Sequence, residues 1–405
     1  MISEPLIVIG VCIVLYGAFS KILSRSVISA PMVFMFVGLI AGSGGLGIIE
    51  IDIENEALEG FGELTLGLIL FADAAATDTR KLLHDRKIPS RLLLIALPLT
   101  IAFGLGVALI FFPDLSWQEA LLISAILVPT DAALGYAVVT SKAVPERIRQ
   151  AILVESGLND GLALPAVLIA AALAYSVSSE TAHTASYWVS FIVQQIGVGA
   201  AVGIVGGASL GLLVHKADEY GWIDHSFRKL TSIGVAIIVF LGAHQLGGNG
   251  FIAAFLGGMA FGAVNRGSCG ELTDFVEEEG QLFSLLIFFF FGAVLLPSAT
   301  EFLTFYCVIY ALLSLTLIRM VPSALALTGA GVSAQGKAFI GWFGPRGLAS
   351  ILFLFVAVEH EEGARLTEVE AIVYVTVFLS VFLHGATASL FSETYGKSAA
   401  AAKDG

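Results

Sequence analysis

The stretch SWQEALLISAILVPTDAALGYAVVT, residues 116–140, decides the fold. It is long and apolar enough to cross ~30 Å of hydrocarbon as a helix rising 1.5 Å per residue. Near its middle, Val128-Pro129-Thr130-Asp131 interrupts it. Pro129 removes a backbone donor and Asp131 adds a charge, so the helix is expected to break at membrane depth. Such a break is tolerated only where protein or a polar cavity surrounds it.

Composition agrees with a bilayer environment. Of 405 residues, 57% are hydrophobic and 13% charged, against roughly 25% charged in a soluble domain. The 44 glycines also fit membrane helices, where small residues let backbones approach. Cys12, Cys269 and Cys307 are odd in number and lack metal or redox spacing, so they read as packing residues. The formal charge of −13 gathers in short acidic clusters, Glu50–Glu59 and Glu359–Glu370, that read as solvated loops; no nucleic-acid partner is expected. The first apolar run, Pro5–Phe19, leads into Lys21 and Arg25 without a small-residue cleavage site and reads as a retained helix.

Thirteen apolar runs follow one another, at 5–22, 30–49, 60–77, 90–112, 116–140, 149–177, 187–214, 230–247, 250–265, 280–297, 302–328, 337–358 and 369–392. With the N-terminus outside, 17 of the 20 basic residues fall in inner loops or the C-terminus: Lys21, Arg25, Arg80, Lys81, Arg86, Lys87, Arg91, Lys142, Arg147, Arg149, Lys216, Arg228, Lys229, Arg266, Lys337, Lys397 and Lys403. Arg365 lies outside, and Arg319 and Arg346 lie within spans. An even number of spans scrambles this partition, so positive-inside placement predicts N-out and C-in. If the seventh span (187–215) is a linker, residues 1–178 and 229–394 form two inverted six-helix repeats, followed by a short cytoplasmic tail, 395–405. The fifth span of each repeat is then broken, at 128–131 and at Gly344-Pro345-Arg346-Gly347, and paired breaks point to a transport site.

Counted from the cytoplasmic end of each span, Asp160 lies about 16 Å deep, Thr130 and Asp131 about 14–15 Å, Arg346 about 14 Å and Arg319 about 13 Å. Charges at that depth are expected to face an interior cavity or a partner. In Glu155-Ser156-Gly157-Leu158-Asn159-Asp160-Gly161, Ser156 stacks on Asp160 and Glu155 on Asn159. Asp160 and Ser156 can offer oxygens to a hard cation while Asn159 and Glu155 brace the site; the bland alternative is interhelical hydrogen bonding. Carbonyls freed by Pro129 near Thr130 can coordinate Na+, unless the proline only kinks the helix. Asp131 and Arg346 can neutralise half-helix ends of opposite sign, with direct ligation by Asp131 as the alternative. Glu155 and Arg319 lie at similar depth and read as an ion pair. Asp73 either lines the cation path or sits at a solvated inner mouth. His244 and His384 read as packing histidines.

The motifs Val-Pro-Thr-Asp (128–131), Glu-Ser-Gly-Leu-Asn-Asp-Gly (155–161) and Gly-Pro-Arg-Gly (344–347), with Arg319 and His384-Gly385, resemble the monovalent cation/proton antiporter superfamily. The likeness is to its Asn-Asp branch, the NhaP-type sodium/proton antiporters, and covers nearly the whole chain. It implies a thirteen-helix inner-membrane homodimer. It also implies Asp160 as the alternating cation and proton carrier, with Ser156 and Thr130 as co-ligands for Na+. Asn159 is implied to hold the span-5 crossing, and Glu155 with Arg319 to form the family's ion pair. Asp73 stands where some relatives have Glu, and with the chain ending at Gly405 no regulation by a long cytoplasmic tail is expected.

These residues predict a secondary antiporter, with no enzyme chemistry and no cofactor, that exchanges Na+ or Li+ for H+ one for one. The alternative is a K+/H+ antiporter with the same mechanism. An intramembrane aspartyl protease lacks its Gly-x-Gly-Asp signature here, and an anion transporter calls for unpaired basic residues where carboxylates dominate. A passive channel is separated from an exchanger by saturable exchange.

Overall fold

A computed structural model describes residues 3–23, 26–49, 56–76, 87–131, 134–178, 185–265, 280, 282–358 and 367–404. Cys269 and the basic residues Arg25, Arg80, Lys81, Arg86, Arg266 and Arg365 lie outside the described residues, as do most of the two acidic clusters. The fold is all-helical. In chain order the helices are α1 (Ser3–Leu23), α2 (Ala30–Ala41), α3 (Glu56–Ala76), α4 (Lys87–Phe111), α5 (Trp117–Ile126), α6 (Glu146–Ser178), α7 (Ala185–Glu219), α8 (His225–Gln245), α9 (Gly250–Val264), α10 (Leu282–Ser298), α11 (Phe305–Ala326), α12 (Ala334–Trp342), α13 (Leu348–Val358) and α14 (Thr367–Asp404). A single helical turn, Tyr136–Val139, follows α5. Among the described residues, six stretches are long and apolar enough to cross a membrane unaided, in α1, α4, α6, α7, α11 and α14.

Helix boundaries follow local chemistry. Ser116 and Glu119 form a capping box at the start of α5, the Ser116 hydroxyl accepting the Glu119 N–H at 3.2 Å while the Glu119 carboxylate accepts the Ser116 N–H at 2.8 Å. Asn249, Thr304 and Ser333 cap α9, α11 and α12 in the same sense. Helix α4, α10 and α11 each contain a π turn, at Leu92–Ala96, Phe291–Leu295 and Ser314–Ile318. A proline follows each, and its i−4 carbonyl (Leu94 for Pro98, Ala293 for Pro297, Ile318 for Pro322) lies inside the widened turn. Widening relieves the clash that a proline ring makes with that carbonyl.

Two expectations need correction. The second span was expected to run 30–49, but α2 stops at Ala41, and 42–49 folds back so that the Leu46 N–H reaches the Ile40 carbonyl and the Ile48 and Ile49 N–H groups reach Ala41. Gly42, Gly44, Gly45 and Gly47 make this turn, with Gly47 at φ +63°. The last span was expected to end at 392, yet α14 continues through the Ala-rich 395–404 segment. There Tyr395 stacks on Phe339 with ring centres 4.5 Å apart, and alanine is the strongest helix former.

By contacts the chain divides into two compact units, one of residues 1–59, 87–156 and 284–405, the other of 60–86 and 157–283. In the first, one apolar cluster joins α1, α2 and α10 through Ile9, Cys12, Phe34, Phe289 and Ala293. A second joins α4, α6, α11, α12 and α14 through Leu92, Ile148, Ala326, Ile340, Phe343 and Ala388. Arg91 and Arg147, read above only as inner-loop charges, donate to carbonyls at and just past the end of α11. Arg91 reaches Ala326 at 2.9 Å and also Thr328, and Arg147 reaches Ala330 at 3.3 Å. Cations suit a helix C-terminus, where carbonyls are left over and the dipole is negative.

The second unit is built on glycine. Gly199, Gly203, Gly207 and Gly211 recur every fourth residue along α7 and face Asn249, Ala253, Gly257 and Phe261 on the α9 side, again four apart. Gly258 and Gly262 on α9 in turn lie against the Phe71 and Ala75 backbone of α3. Without a hydrophobic drive between helices in lipid, such close backbone contact is what holds them together. A Cβ at Gly203 falls 2.6 Å from the Ala253 carbonyl, whereas one at Gly197, on the same helix, meets nothing within 4 Å. Gly203→Val is therefore expected to lower Tm in detergent, by overpacking worth ~1–3 kcal/mol, while Gly197→Ala leaves it unchanged or higher. Equal melting of the two variants contradicts this packing.

Candidate functional site

The chain is unwound at residues 127–131 after α5, and again at residues 343–347 between α12 and α13. A helix that stops leaves backbone groups without partners, and inside a membrane no bulk water supplies them. The two breaks supply one another. The Asp131 carboxylate accepts the Leu348 N–H at 2.8 Å, at the start of α13, and the Leu134 N–H at 3.2 Å. Arg346 donates through Nη1 to the Val128 carbonyl and, at 3.1 Å, to that of Pro129, beyond the end of α5. The Asp131 N–H donates to the Pro345 carbonyl at 2.8 Å, and the Ser350 hydroxyl to the Ile126 carbonyl at 2.9 Å. An anion thus sits at a helix N-terminus and a cation past a C-terminus, the favourable sense of the dipole in each case. Arg346 is 0% exposed.

Carbonyls freed by Pro129 were expected to face a cation. The structure commits those of Ile126, Val128 and Pro129 to Ser350 and Arg346 first, because charged and hydroxyl donors lie within reach. What the break presents beyond them is the Thr130 hydroxyl, 3.0 Å from that of Ser156 on α6.

One residue before Ser156, Glu155 meets Arg319 of α11, with Oε1 2.5 Å from Nη2 and both side chains buried. Gly344 explains how this pair fits beside the break. A Cβ there would lie 2.5 Å from Arg319 Nε and 3.0 Å from the Thr130 methyl. Gly347 plays the same part for Asp131, whose carboxylate occupies the space a side chain needs. The two glycines of Gly-Pro-Arg-Gly are thus places where the Arg319 and Asp131 side chains cross the chain, a reason the sequence shows only once both partners are located.

Asn159 and Asp160 lie one turn beyond Glu155 and Ser156 on the same helix, buried, with Asp160 9% exposed. Gly161 takes the ring of Phe255, which lies 2.6 Å from the position of a Cβ. Asp73 is half-buried on α3. His244 is exposed at the end of α8 and does not pack as expected, being in the last turn before Gly247 and Gly248. His384 is buried and hydrogen-bonded to Ser380 and Trp342. Sequence reasoning passed over Ser350 and Ser380; serines in an apolar span carry no spacing signal of their own.

Paired helix breaks within apolar spans are a pattern that secondary transporters, as a class of membrane proteins, share. The sodium/hydrogen exchanger transmembrane family model matches residues 8–393, and the chain belongs to that family. It is 26% identical over 355 residues to a K(+)/H(+) antiporter NhaP of Alkalimonas amylolytica, covering 87% of this chain and 60% of that protein. It is 24% identical over 372 residues to a K(+)/H(+) antiporter NhaP2 of Shewanella sp. (strain MR-4), covering 91% and 63%. A Na(+)/H(+) antiporter of Schizosaccharomyces pombe is 26% identical over 270 residues, 62% of this chain and 56% of that one. The chain spans about three-fifths of the length of these curated relatives. Its fold matches the sodium proton antiporter MjNhaP1 from Methanocaldococcus jannaschii with a TM-score of 0.78 at 21% identity, over 96% of this chain and 98% of that one.

Arg319→Ala strands Glu155 as a buried carboxylate, which typically costs 3–5 kcal/mol. A marked fall in Tm is expected, with part of it recovered in Arg319→Ala/Glu155→Ala. A double variant that melts no higher than the single one contradicts the pairing.

Proposed function

We propose that this chain exchanges Na+, or Li+, for H+ across the inner membrane, with Asp160 as the shared carrier and the Ser156 and Thr130 hydroxyls as co-ligands. The observation that carries the reading is the 3.0 Å approach of the Thr130 hydroxyl at the helix break to that of Ser156, one turn before Asp160 on the same helix. Two hydroxyls and a carboxylate are hard oxygen donors suited to an alkali cation. A carboxylate that holds either H+ or a cation makes the two compete, and alternating access then couples their flows. Asn159, Glu155, Arg319, Arg346 and Asp131 support the site. Asp73 either lines the path or sits at its inner mouth.

The wider reading is a homodimer of thirteen-span subunits, N-terminus outside and C-terminus cytoplasmic. In it, residues 1–178 and 229–394 are inverted repeats joined by the 187–215 helix. A second reading, K+/H+ exchange by the same mechanism, is favoured by the K+/H+ designation of two of the relatives. Proton-gradient-driven uptake of labelled Na+, Li+ and K+ into proteoliposomes separates the two. Asp160→Asn keeps the shape but loses the titratable charge, so exchange is expected to vanish while Tm stays near wild type. Wild-type exchange in that variant sinks the assignment.

Stoichiometry follows from counting carriers. The position before Asp160 is the neutral Asn159, Glu155 is held by Arg319, and Asp131 caps α13. One carboxylate carrying H+ one way and Na+ the other moves no net charge, so the rate is expected to ignore a potential worth about 2.3 kcal/mol per charge per 100 mV. Voltage-dependent flux under a K+/valinomycin clamp rules out one-for-one exchange and points to Asp73 as a second proton carrier.

A further inference from the structure

Three side chains of α14 at four- and three-residue spacing, Ser380, His384 and Thr387, face the end of α12 and the break that follows it. His384 Nε2 lies 2.9 Å from the Trp342 carbonyl, which can only accept, so Nε2 carries hydrogen. Nδ1 lies 3.1 Å from the Ser380 hydroxyl and 3.0 Å from the Ser380 carbonyl, so the ring is held against both oxygens of that residue. The Ser380 hydroxyl oxygen in turn accepts the Arg346 N–H, 2.6 Å away. The Trp342 carbonyl also accepts the Gly344 N–H at 2.8 Å, and the Trp342 indole donates to the Thr387 hydroxyl at 3.0 Å. The relay therefore grips the unwound segment at both ends, at Trp342 and at Arg346.

We propose that His384 and Ser380 are positioning residues for transport: their relay fixes the backbone of Arg346, and with it the guanidinium that holds the Val128 and Pro129 carbonyls next to Thr130. The role rests on the antiport reading above. It differs from simple packing because the Ser380 hydroxyl contributes one directed bond and little volume. Loosening Arg346 shifts Thr130 and so weakens cation binding without touching Asp160.

The test uses the full chain in proteoliposomes. Ser380→Ala is expected to raise the KM for the transported cation about fivefold, the factor that one buried hydrogen bond represents, with the maximal rate little changed. Ser380→Thr, which restores the hydroxyl, is expected to return KM to the wild-type value. His384→Ala should raise KM alike, and the double variant Ser380→Ala/His384→Ala no further, because the two residues act through one chain of bonds. Amide hydrogen exchange of residues 343–347, which needs no transport, is expected to quicken at least tenfold at Arg346 in Ser380→Ala. An unchanged KM in Ser380→Ala, a Ser380→Thr variant as impaired as Ser380→Ala, or effects that add in the double variant overturns the relay. If the wild-type protein exchanges no cation for protons, the antiport reading has failed, and hydrogen exchange alone decides whether Ser380 holds Arg346.

Discussion

The structure of the site depends on the reciprocal capping of two broken helices. A helix interrupted inside a membrane leaves amides at one end and carbonyls at the other, and hydrocarbon offers neither a partner. Asp131, from the break after α5, takes an amide at the start of α13. Arg346, from the break before α13, takes carbonyls beyond α5. The Asp131 amide on the Pro345 carbonyl ties the two unwound strands directly. Neither break can relax without releasing buried groups of the other, so the pair behaves as one element. Irregular backbone at membrane depth becomes stable this way without being covered by water.

Much of this was legible in the sequence, because membrane burial makes polar residues conspicuous. Pro129 and Pro345 in apolar runs mark the breaks, and depth counting at 1.5 Å per residue brings Asp131, Arg346, Arg319 and Glu155 to similar levels. The closeness of Glu155 to Arg319 and of Asp131 to the α13 start needed only that charges at one depth find each other. The glycine ladder of α7 was also open to reading, since Gly199, Gly203, Gly207 and Gly211 stand at a fixed interval. Its partner helix was not, because small residues mark a face without naming what lies against it.

What stayed hidden is local conformation and long-range side-chain contact. Hydropathy carried the second span through Gly42–Gly47, where positive φ at Gly47 turns the chain instead. It ended the last helix where the apolar run ends, although an Ala-rich segment stacked through Tyr395 on Phe339 has reason to stay helical. Gly344 and Gly347 read as helix breakers, whereas their first duty is to leave room for Arg319 and Asp131. Ser380 and His384 act on residues 34 and 42 positions away. No periodicity reports that distance.

The charges around the breaks lead to the final step. Glu155 with Arg319, and Asp131 with Arg346, are four buried ionisable groups whose formal charges cancel. Each also has directed partners for its charged form, in an ion pair for the first two and at helix ends for the others. The function proposed above assigns the exchange to a fifth group, Asp160, further along α6. A buried carboxylate costs several kcal/mol unless something positive accompanies it. A proton or an alkali cation each restores neutrality, and either one excludes the need for the other. On that proposal the division of labour is physical: Glu155, Arg319, Asp131 and Arg346 are bound to fixed partners that hold the helices, and exchange falls to a carboxylate outside that set.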